Sequence, residues 1–326
     1  MEKFSLKETQ IAIKEIKDYF ERKLADKLNL TRVSAPLFVR PETGLNDNLS
    51  GVERAVSFQI RKYNEDIEIV QSLAKWKRMA LKWYGFDYDE GLYTDMNAIR
   101  PDEVLDKTHS IYVDQWDWEK IIKKGDRNEE YLKDLVEQIF SAFKETERFI
   151  NKLYPKHLSE KLPDKIRFVT TQELEDLYPN KNPKEREHLI TEKYKAVFLM
   201  KIGGKLISGL SHDTRSPDYD DWELNGDILF WNPVLKESLE LSSMGIRVDE
   251  SSLEKQLELS DAKERKSLDY HSMLLKGQLP YTVGGGIGQS RICMYFLEKR
   301  HIGEVQASVW TKDVIESCRK ENIFLL

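Results

Sequence analysis

The run Thr282-Val-Gly-Gly-Gly-Ile-Gly-Gln-Ser-Arg-Ile-Cys-Met294 places four glycines, at 284, 285, 286 and 288, directly ahead of a helix-compatible stretch. Glycine lets a backbone approach a ligand closely, and the first amides of a helix present a positive dipole end. The run therefore predicts an anion-binding turn around Gly286 and Gly288, or else a mobile surface turn. No Gly-Lys-Ser/Thr follows, which excludes a P-loop, and Arg291 stands where a dinucleotide fingerprint needs its third glycine. A cation in the first turn of a helix opposes the dipole; a phosphate lying between them would remove the conflict.

Two further runs could serve the same anion. Asn97-Ala-Ile-Arg-Pro-Asp-Glu103 reads as a strand ending at Arg100 and a turn. In the stretch Ser110 to Glu119, a period of two puts Tyr112, Asp114, Trp116 and Trp118 on one face and Val113, Gln115, Asp117 and Glu119 on the other. Three successive polar groups on that second face suit solvent as well as they suit a ligand. Asn225 to Arg247 reads as two strands, with Asp227 opening the first and Glu240 set between Leu239 and Leu241 in the second. Carboxylates on adjacent strands suit Mg²⁺, which takes one or two of them and completes its shell with phosphate oxygens and water; an ordinary half-exposed pair would have the same spacing.

The elements that must hold these groups are legible in outline. Ser5 to Leu28 has Ile13, Ile16, Phe20, Leu24 and Leu28 at helical spacing, with Ser5 and Glu8 able to form a capping box. Pro36 excludes helix from Arg32 to Val39, which reads as an extended segment at an edge or an interface. Strands are expected at 55–60, 67–71, 91–96, 110–117, 166–170, 196–202, 227–231 and 238–243. Helices are expected at 73–83, 128–153, 183–194, 253–275 with a break, and 289–298. Strands adjoin one another more often than they alternate with helices, so the pattern predicts an α+β fold with a mostly antiparallel sheet flanked by helices. Ser208 to Glu223 reads as one long loop, either functional or a solvated excursion.

Bulk properties narrow the function. The chain has 326 residues, 40 % of them hydrophobic, enough for a sizeable core. Its net charge of -6 gives no general attraction for nucleic acid, so an anionic ligand needs a locally positive site. No run of apolar residues is long enough to span a membrane and the start lacks a secretion signal, so a soluble, cytoplasmic protein is expected. Cys293 and Cys318 have no metal-ligand spacing and are expected to be reduced thiols. The Asn29 and Asn48 tripeptides match a glycosylation acceptor by chance.

In order and in residue type, these runs resemble the class II aminoacyl-tRNA synthetase motifs. Residues 5–40 resemble motif 1, which in that family makes the dimer interface. Residues 91–119, with Arg100-Pro-Asp-Glu103 and Val113 to Glu119, resemble motif 2, and 282–298 resemble motif 3, with Ser290 where many synthetases have glutamate. The strand pair ending in Gly245-Ile-Arg247 and the run Gln71 to Lys77 are similar to the aspartate and asparagine synthetases, yet no room precedes motif 1 for their anticodon-binding barrel. The short ammonia-dependent asparagine synthetases are similar from end to end. Gly44 to Gly51, Ser72 to Arg78, Gly91 to Thr94, Tyr112 to Glu119, Pro217 to Trp222, Leu241 to Arg247 and the motif 3 run all look like blocks of that family.

The resemblance implies a single catalytic domain over residues 1–326, a homodimer, and ATP-dependent conversion of L-aspartate and ammonia to L-asparagine through a β-aspartyl adenylate. It implies no tRNA, no membrane and no glutaminase subunit. Arg100 would bind the α-phosphate, Arg291 the distal phosphates, Gly286 and Gly288 the nucleotide's close approach, and Asp227 with Glu240 a Mg²⁺ ion. Since the side-chain carboxylate is the one activated, aspartate would bind end for end relative to a synthetase. Lys77 and Arg247 would then hold its α-carboxylate, with Ser72 and Ser243 completing the pocket. Asp47 and Gln115 would meet the amino group, the acyl oxygen or ammonia, and Asp117 and Asp220 would attract ammonium.

Overall fold

The computed structural model describes residues 4–47, 49 and 53–326. In the run Gly44 to Gly51, positions Asn48, Ser50 and Gly51 lie outside the described residues, which takes in the ends of the Asn48 tripeptide.

Helix α1 (Leu6–Leu28) begins with the expected capping box: Glu8 N donates to Ser5 Oγ at 3.2 Å and Ser5 N donates to Glu8 Oε2 at 2.8 Å. Its buried stripe is Ala12, Ile16, Phe20, Leu24 and Leu28. There follow β1 (Leu30–Arg32), β2 (Phe38–Val39), β3 (Ser57–Ile60), β4 (Glu65–Ile69), α2 (Ala74–Trp83), β5 (Gly91–Ile99), β6 (Tyr112–Ile121) and α3 (Glu129–Leu153). The second half runs β7 (Arg167–Thr170), α4 (Thr171–Leu177), α5 (Pro183–Tyr194), β8 (Ala196–Met200), β9 (Asp220–Asn232), β10 (Glu237–Arg247), α6 (Glu250–Leu259), α7 (Asp269–Leu275), β11 (Thr282–Gly288), α8 (Gln289–Phe296) and α9 (Lys312–Lys320).

Among the described residues, eight strands form one sheet in the order β1-β5-β6-β11-β10-β9-β8-β7, and β2, β4 and β3 form a small second sheet. Every pair inside the large sheet is antiparallel; only the outermost pairs, β1 with β5 and β7 with β8, are parallel. Trp116 and Trp118 of β6 are buried on the face covered by α1 and α3, where Phe20 lies 5.1 Å from Trp116 and 4.8 Å from Phe143. Leu92, Met96 and Ala98 of β5 join a second cluster with Leu73, Trp76 and Ala80 near α2 and Leu253, Leu257 and Leu274 of α6 and α7. Cys293 and Cys318 are free and buried, and no helix of the described residues is long and apolar enough to cross a membrane.

Four sequence expectations change. The glycine run is not a turn: it is strand β11, hydrogen-bonded between β6 and β10. A Cβ at Gly284 would lie 2.0 Å from Glu119 Oε2, and one at Gly286 would lie 2.4 Å from Gln115 Oε1, so the glycines leave room for polar side chains of the neighbouring strand. The segment around Pro36 divides between two sheets, β1 pairing with β5 and β2 with β4. The long loop ends early, because Asp220 to Glu223 already belong to the thirteen-residue strand β9. Two short helices, α4 and α9, were not expected, although Thr170 and Glu173 form a capping box at the first.

Candidate active site

The polar face of β6, the glycine strand β11 and the end of β10 form the floor of a cavity of about 350 Å³. Its walls come from the start of α2, the turn after β5 and the loop before β9. The expected alternation along β6 holds, since Gln115 and Asp117 line the cavity while Trp116 and Trp118 are in the core. Asp47, Ser72, Lys77, Arg100, Gln115, Asp117, Asp220, Glu240, Ser243, Arg247, Gly286, Gly288 and Arg291 all line this one space. Asp227 alone of the expected residues does not.

One end of the cavity is a closed set of ion pairs. Arg247 is buried; its Nε donates to Glu119 Oε1 at 3.0 Å, its Nη2 to Glu119 Oε2 at 2.8 Å, and its Nη1 to Asp220 Oδ1. Thr282 Oγ1 adds a bond to Glu119 Oε1 at 2.7 Å. Burial alone would raise Glu119's pKa, but the Arg247 guanidinium outweighs it and holds the carboxyl below its ordinary value. For Asp220 burial wins, and its pKa is raised despite Arg247 and Arg215. Lys77 Nζ sits 3.0 Å from Asp117 Oδ2 and donates to the Gly285 carbonyl at 2.9 Å. Burial lowers the Lys77 pKa, with Asp117's charge opposing it.

Beside this set lies Asp47, 1 % exposed. Its Oδ1 accepts from Leu49 N at 3.0 Å, while its Oδ2 and Asp117 Oδ1 are buried acceptors with no partner among the described residues. Burial raises the Asp47 pKa. Behind the wall, Asp218 takes Lys75 Nζ at 3.3 Å, Arg265 Nη1 at 3.0 Å, His271 Nε2 at 2.9 Å and Ser216 Oγ at 2.8 Å. That buried cluster fastens the loop bearing Tyr219 and Asp220 to α2 and α7.

The rest of the cavity, its open end, has guanidiniums with donors to spare. Arg100 Nη2 makes one long bond, 3.4 Å to the Gln71 carbonyl, and its Nε is buried with no partner among the described residues. Arg291 donates from Nη1 to the Glu240 carbonyl at 2.9 Å and from Nε to the Thr108 carbonyl at 3.4 Å, with Glu240 Oε2 3.8 Å away. Burial would raise the Glu240 pKa, but Arg291 and Arg215 hold it down. Asp227 lies behind Arg215, whose Nη2 donates to its Oδ1; burial raises the Asp227 pKa against that cation, and Glu240's charge adds to the rise. The expected conflict at α8 is resolved by protein: Asp114 accepts from Ser290 N at 3.1 Å and Ser290 Oγ at 2.8 Å, so a carboxylate already meets the helix's positive end.

The donor set suits a hard cation. Asp227 and Glu240 project from the same side of β9 and β10, since Glu240 pairs with Leu229, two residues from Asp227. A cationic group, Arg215, is already seated on Asp227. No cluster of three or more metal-ligating side chains occurs among the described residues, so phosphate oxygens and water would complete the shell.

Sequence reasoning missed Arg215, Tyr219, Glu103, His109, Asp114 and Gln306, all of which line the cavity. Arg215 had a signal: it is the one lysine or arginine in the stretch Ser208 to Glu223, which carries Asp213, Asp218, Asp220 and Asp221.

Residues 7–322 match the aspartate-ammonia ligase family. An aspartate–ammonia ligase of Clostridium tetani is 68 % identical over 322 residues, covering 98 % of this chain and 94 % of the relative. One from Fusobacterium nucleatum is 64 % identical over 98 % of this chain and 97 % of the relative. Among solved structures, an Entamoeba histolytica asparaginyl-tRNA synthetase in complex with asparaginyl-adenylate matches with a TM-score of 0.63 at 15 % identity, over 92 % of this chain and 66 % of that one. The Pyrococcus horikoshii asparaginyl-tRNA synthetase complexed with asparaginyl-adenylate gives 0.65 at 14 % identity, over 91 % of this chain and 68 % of that one. The expected class II synthetase-like α+β fold is therefore the observed one.

Proposed function

Because the chain belongs to the aspartate–ammonia ligase family, we propose that this cavity makes L-asparagine from L-aspartate, ammonia and ATP by way of a β-aspartyl adenylate. A carboxylate resists ammonia because its carbon is electron-rich and its leaving group is oxide. Attack of the β-carboxylate oxygen on the α-phosphorus forms a carbon–oxygen–phosphorus link, and the bond from the α-phosphorus to the oxygen joining it to the β-phosphate breaks, its electrons leaving with pyrophosphate. The ammonia lone pair then forms the carbon–nitrogen bond, AMP leaves with the electrons of the acyl carbon–oxygen bond, and a proton passes from nitrogen to a carboxylate.

One observation carries this reading: a single cavity holds guanidinium N–H groups without partners among the described residues next to a paired lysine and arginine set. At the open end, Arg100 takes charge developing on the α-phosphate, a task suited to a planar fork of donors, and Arg291 binds the distal phosphates. Asp227 and Glu240 would hold Mg²⁺, which when bound offsets the charge of pyrophosphate. At the closed end, Lys77 and Arg247 fix the α-carboxylate, with Ser72 and Ser243 beside it. Gln115 and the partnerless Oδ2 of Asp47 point to the amino group and acyl carbon, where Asp117 and Asp220 also attract ammonium and accept its proton. Gly286 and Gly288 let the nucleotide lie against the strand.

Residues 1–326 would act as one catalytic domain in a cytoplasmic homodimer, using free ammonia without a glutaminase subunit. Purified protein given ATP, Mg²⁺ and aspartate is expected to form asparagine and AMP in equal amounts with ammonium and not with glutamine. ADP as the nucleotide product would overturn the reading.

A further inference from the structure

A third guanidinium, Arg215, stands at the open end of the cavity. It sits on the loop between β8 and β9 and lines the cavity with Glu240 and Arg291, its side chain 13 % exposed. Its one hydrogen bond among the described residues runs from Nη2 to Asp227 Oδ1. Its Nε is buried with no partner among the described residues, so one donor edge of the fork is unused. Buried donors are rarely left unpaired without cause, and a guanidinium with a spare donor, lining the same cavity as Arg291, suits a phosphate.

The same side chain also offsets a charge problem. Asp227 and Glu240 project from the same side of the adjacent strands β9 and β10, and the Asp227 side chain is 9 % exposed. Arg215 is the cation paired with Asp227, and Arg291 lies 3.8 Å from Glu240. A metal ion arriving with the nucleotide would draw on the same carboxylate and weaken its hold on Arg215. Arg215 stands between Asp213 and Thr214, which are exposed, and the anchored pair Ser216 and Asp218.

We propose that Arg215 is a third phosphate-binding residue, which pairs with Asp227 and turns to the pyrophosphate end of ATP when a metal ion draws on that carboxylate. This rests on the reading of the cavity given above. It requires two effects of opposite sign from one substitution. Removing the guanidinium frees Asp227 for a divalent ion in the absence of nucleotide, and at the same time takes a charge-assisted contact from the phosphates.

The test uses the full chain and equilibrium binding, so it does not depend on turnover. Mn²⁺ binding without nucleotide is measured by electron paramagnetic resonance, and pyrophosphate binding in Mg²⁺ by calorimetry. Arg215→Met should bind Mn²⁺ about tenfold more tightly than the parent protein and pyrophosphate about tenfold more weakly. The Mn²⁺ gain should vanish when Asp227→Asn is added. Arg215→Lys, which keeps a point charge and loses the fork, should leave Mn²⁺ binding near the parent value and weaken pyrophosphate by a smaller factor, and it carries the test if the methionine variant fails to fold. Unchanged pyrophosphate affinity in Arg215→Met, or a loss of both affinities together, overturns the proposal; with Arg215→Lys alone, unchanged pyrophosphate affinity does so. A parent protein that forms ADP would refute the adenylate reading, whereas a parent protein that forms AMP and asparagine beside unresponsive Arg215 variants would refute only this one.

Discussion

The two ends of the cavity use the same residue types in opposite ways. Around Arg247 the guanidinium is spent on Glu119 and Asp220, and Lys77 is spent on Asp117. Around Arg100, Arg215 and Arg291 the guanidiniums rest on backbone carbonyls or on a single carboxylate, with N–H groups to spare. A buried cation that is fully paired keeps its place but gains little net energy, whereas one with unpaired donors draws an anion strongly. The closed end thus offers a rigid frame of alternating charge to a small zwitterion, and the open end offers positive charge to a polyanion. In the proposed reading, the state of pairing, and not the number of charges, separates amino-acid recognition from phosphate recognition.

The sharpest way to break this contrast is Arg247→Met. It leaves Glu119 and Asp220 buried without their cation, so unfolding in denaturant should show a loss of about 3–5 kcal/mol together with loss of aspartate binding. If stability is unchanged, the closed end is not a paired frame. Arg100→Lys should do the reverse, slowing AMP formation in a single turnover by about 10²-fold or more while stability moves by less than about 0.5 kcal/mol. Gly286→Ala would put a Cβ 2.4 Å from Gln115 Oε1 and 2.8 Å from Asp117 Oδ1. Displacing both side chains should reduce kcat/KM for aspartate by about 10²-fold, with the affinity for pyrophosphate, measured by calorimetry, held within about twofold.

The smallest expected effect is a gain. Burial raises the Asp47 pKa above its ordinary 3.8, so in the native state its charged form costs stability. Below that ordinary value the carboxyl is protonated whether folded or unfolded and the cost is absent; as pH rises through the raised native value the cost sets in. Asp47→Asn should therefore be more stable than the parent protein by about 1 kcal/mol at pH 7, with the difference shrinking as pH falls toward 4, while asparagine formation drops. Thermal melts across that range would expose an error of sign.

How much of this was legible in the sequence depended on how far apart the deciding residues lie. The faces of β6 could be read from alternation because neighbours along one strand decide them. The helix from Leu6 to Leu28 was legible for the same reason, from its cap and its stripe. The glycine run was read as a turn because glycine usually marks one; that it is a strand follows from the space needed by Gln115 and Glu119, which are far away in the chain. Asp114 capping α8 and Arg215 seated on Asp227 are likewise pairings between distant or loop residues, and no local spacing announces them. The first residues of β9, Asp220-Asp-Trp-Glu223, look like loop by composition and become strand because β10 pairs with them at Arg247. Membership of the cavity was legible by resemblance; which charges inside it are already paired was not.

The central claim is that the side-chain end of aspartate is the nucleophile toward the α-phosphorus. Aspartate labelled with ¹⁸O in its β-carboxylate, supplied with ATP, Mg²⁺ and ammonium, tests it by mass spectrometry of the nucleotide product. The account predicts AMP carrying one ¹⁸O from the β-label and none when the α-carboxylate is labelled instead. AMP free of label from β-labelled aspartate, or ¹⁸O appearing in inorganic phosphate beside ADP, would contradict it.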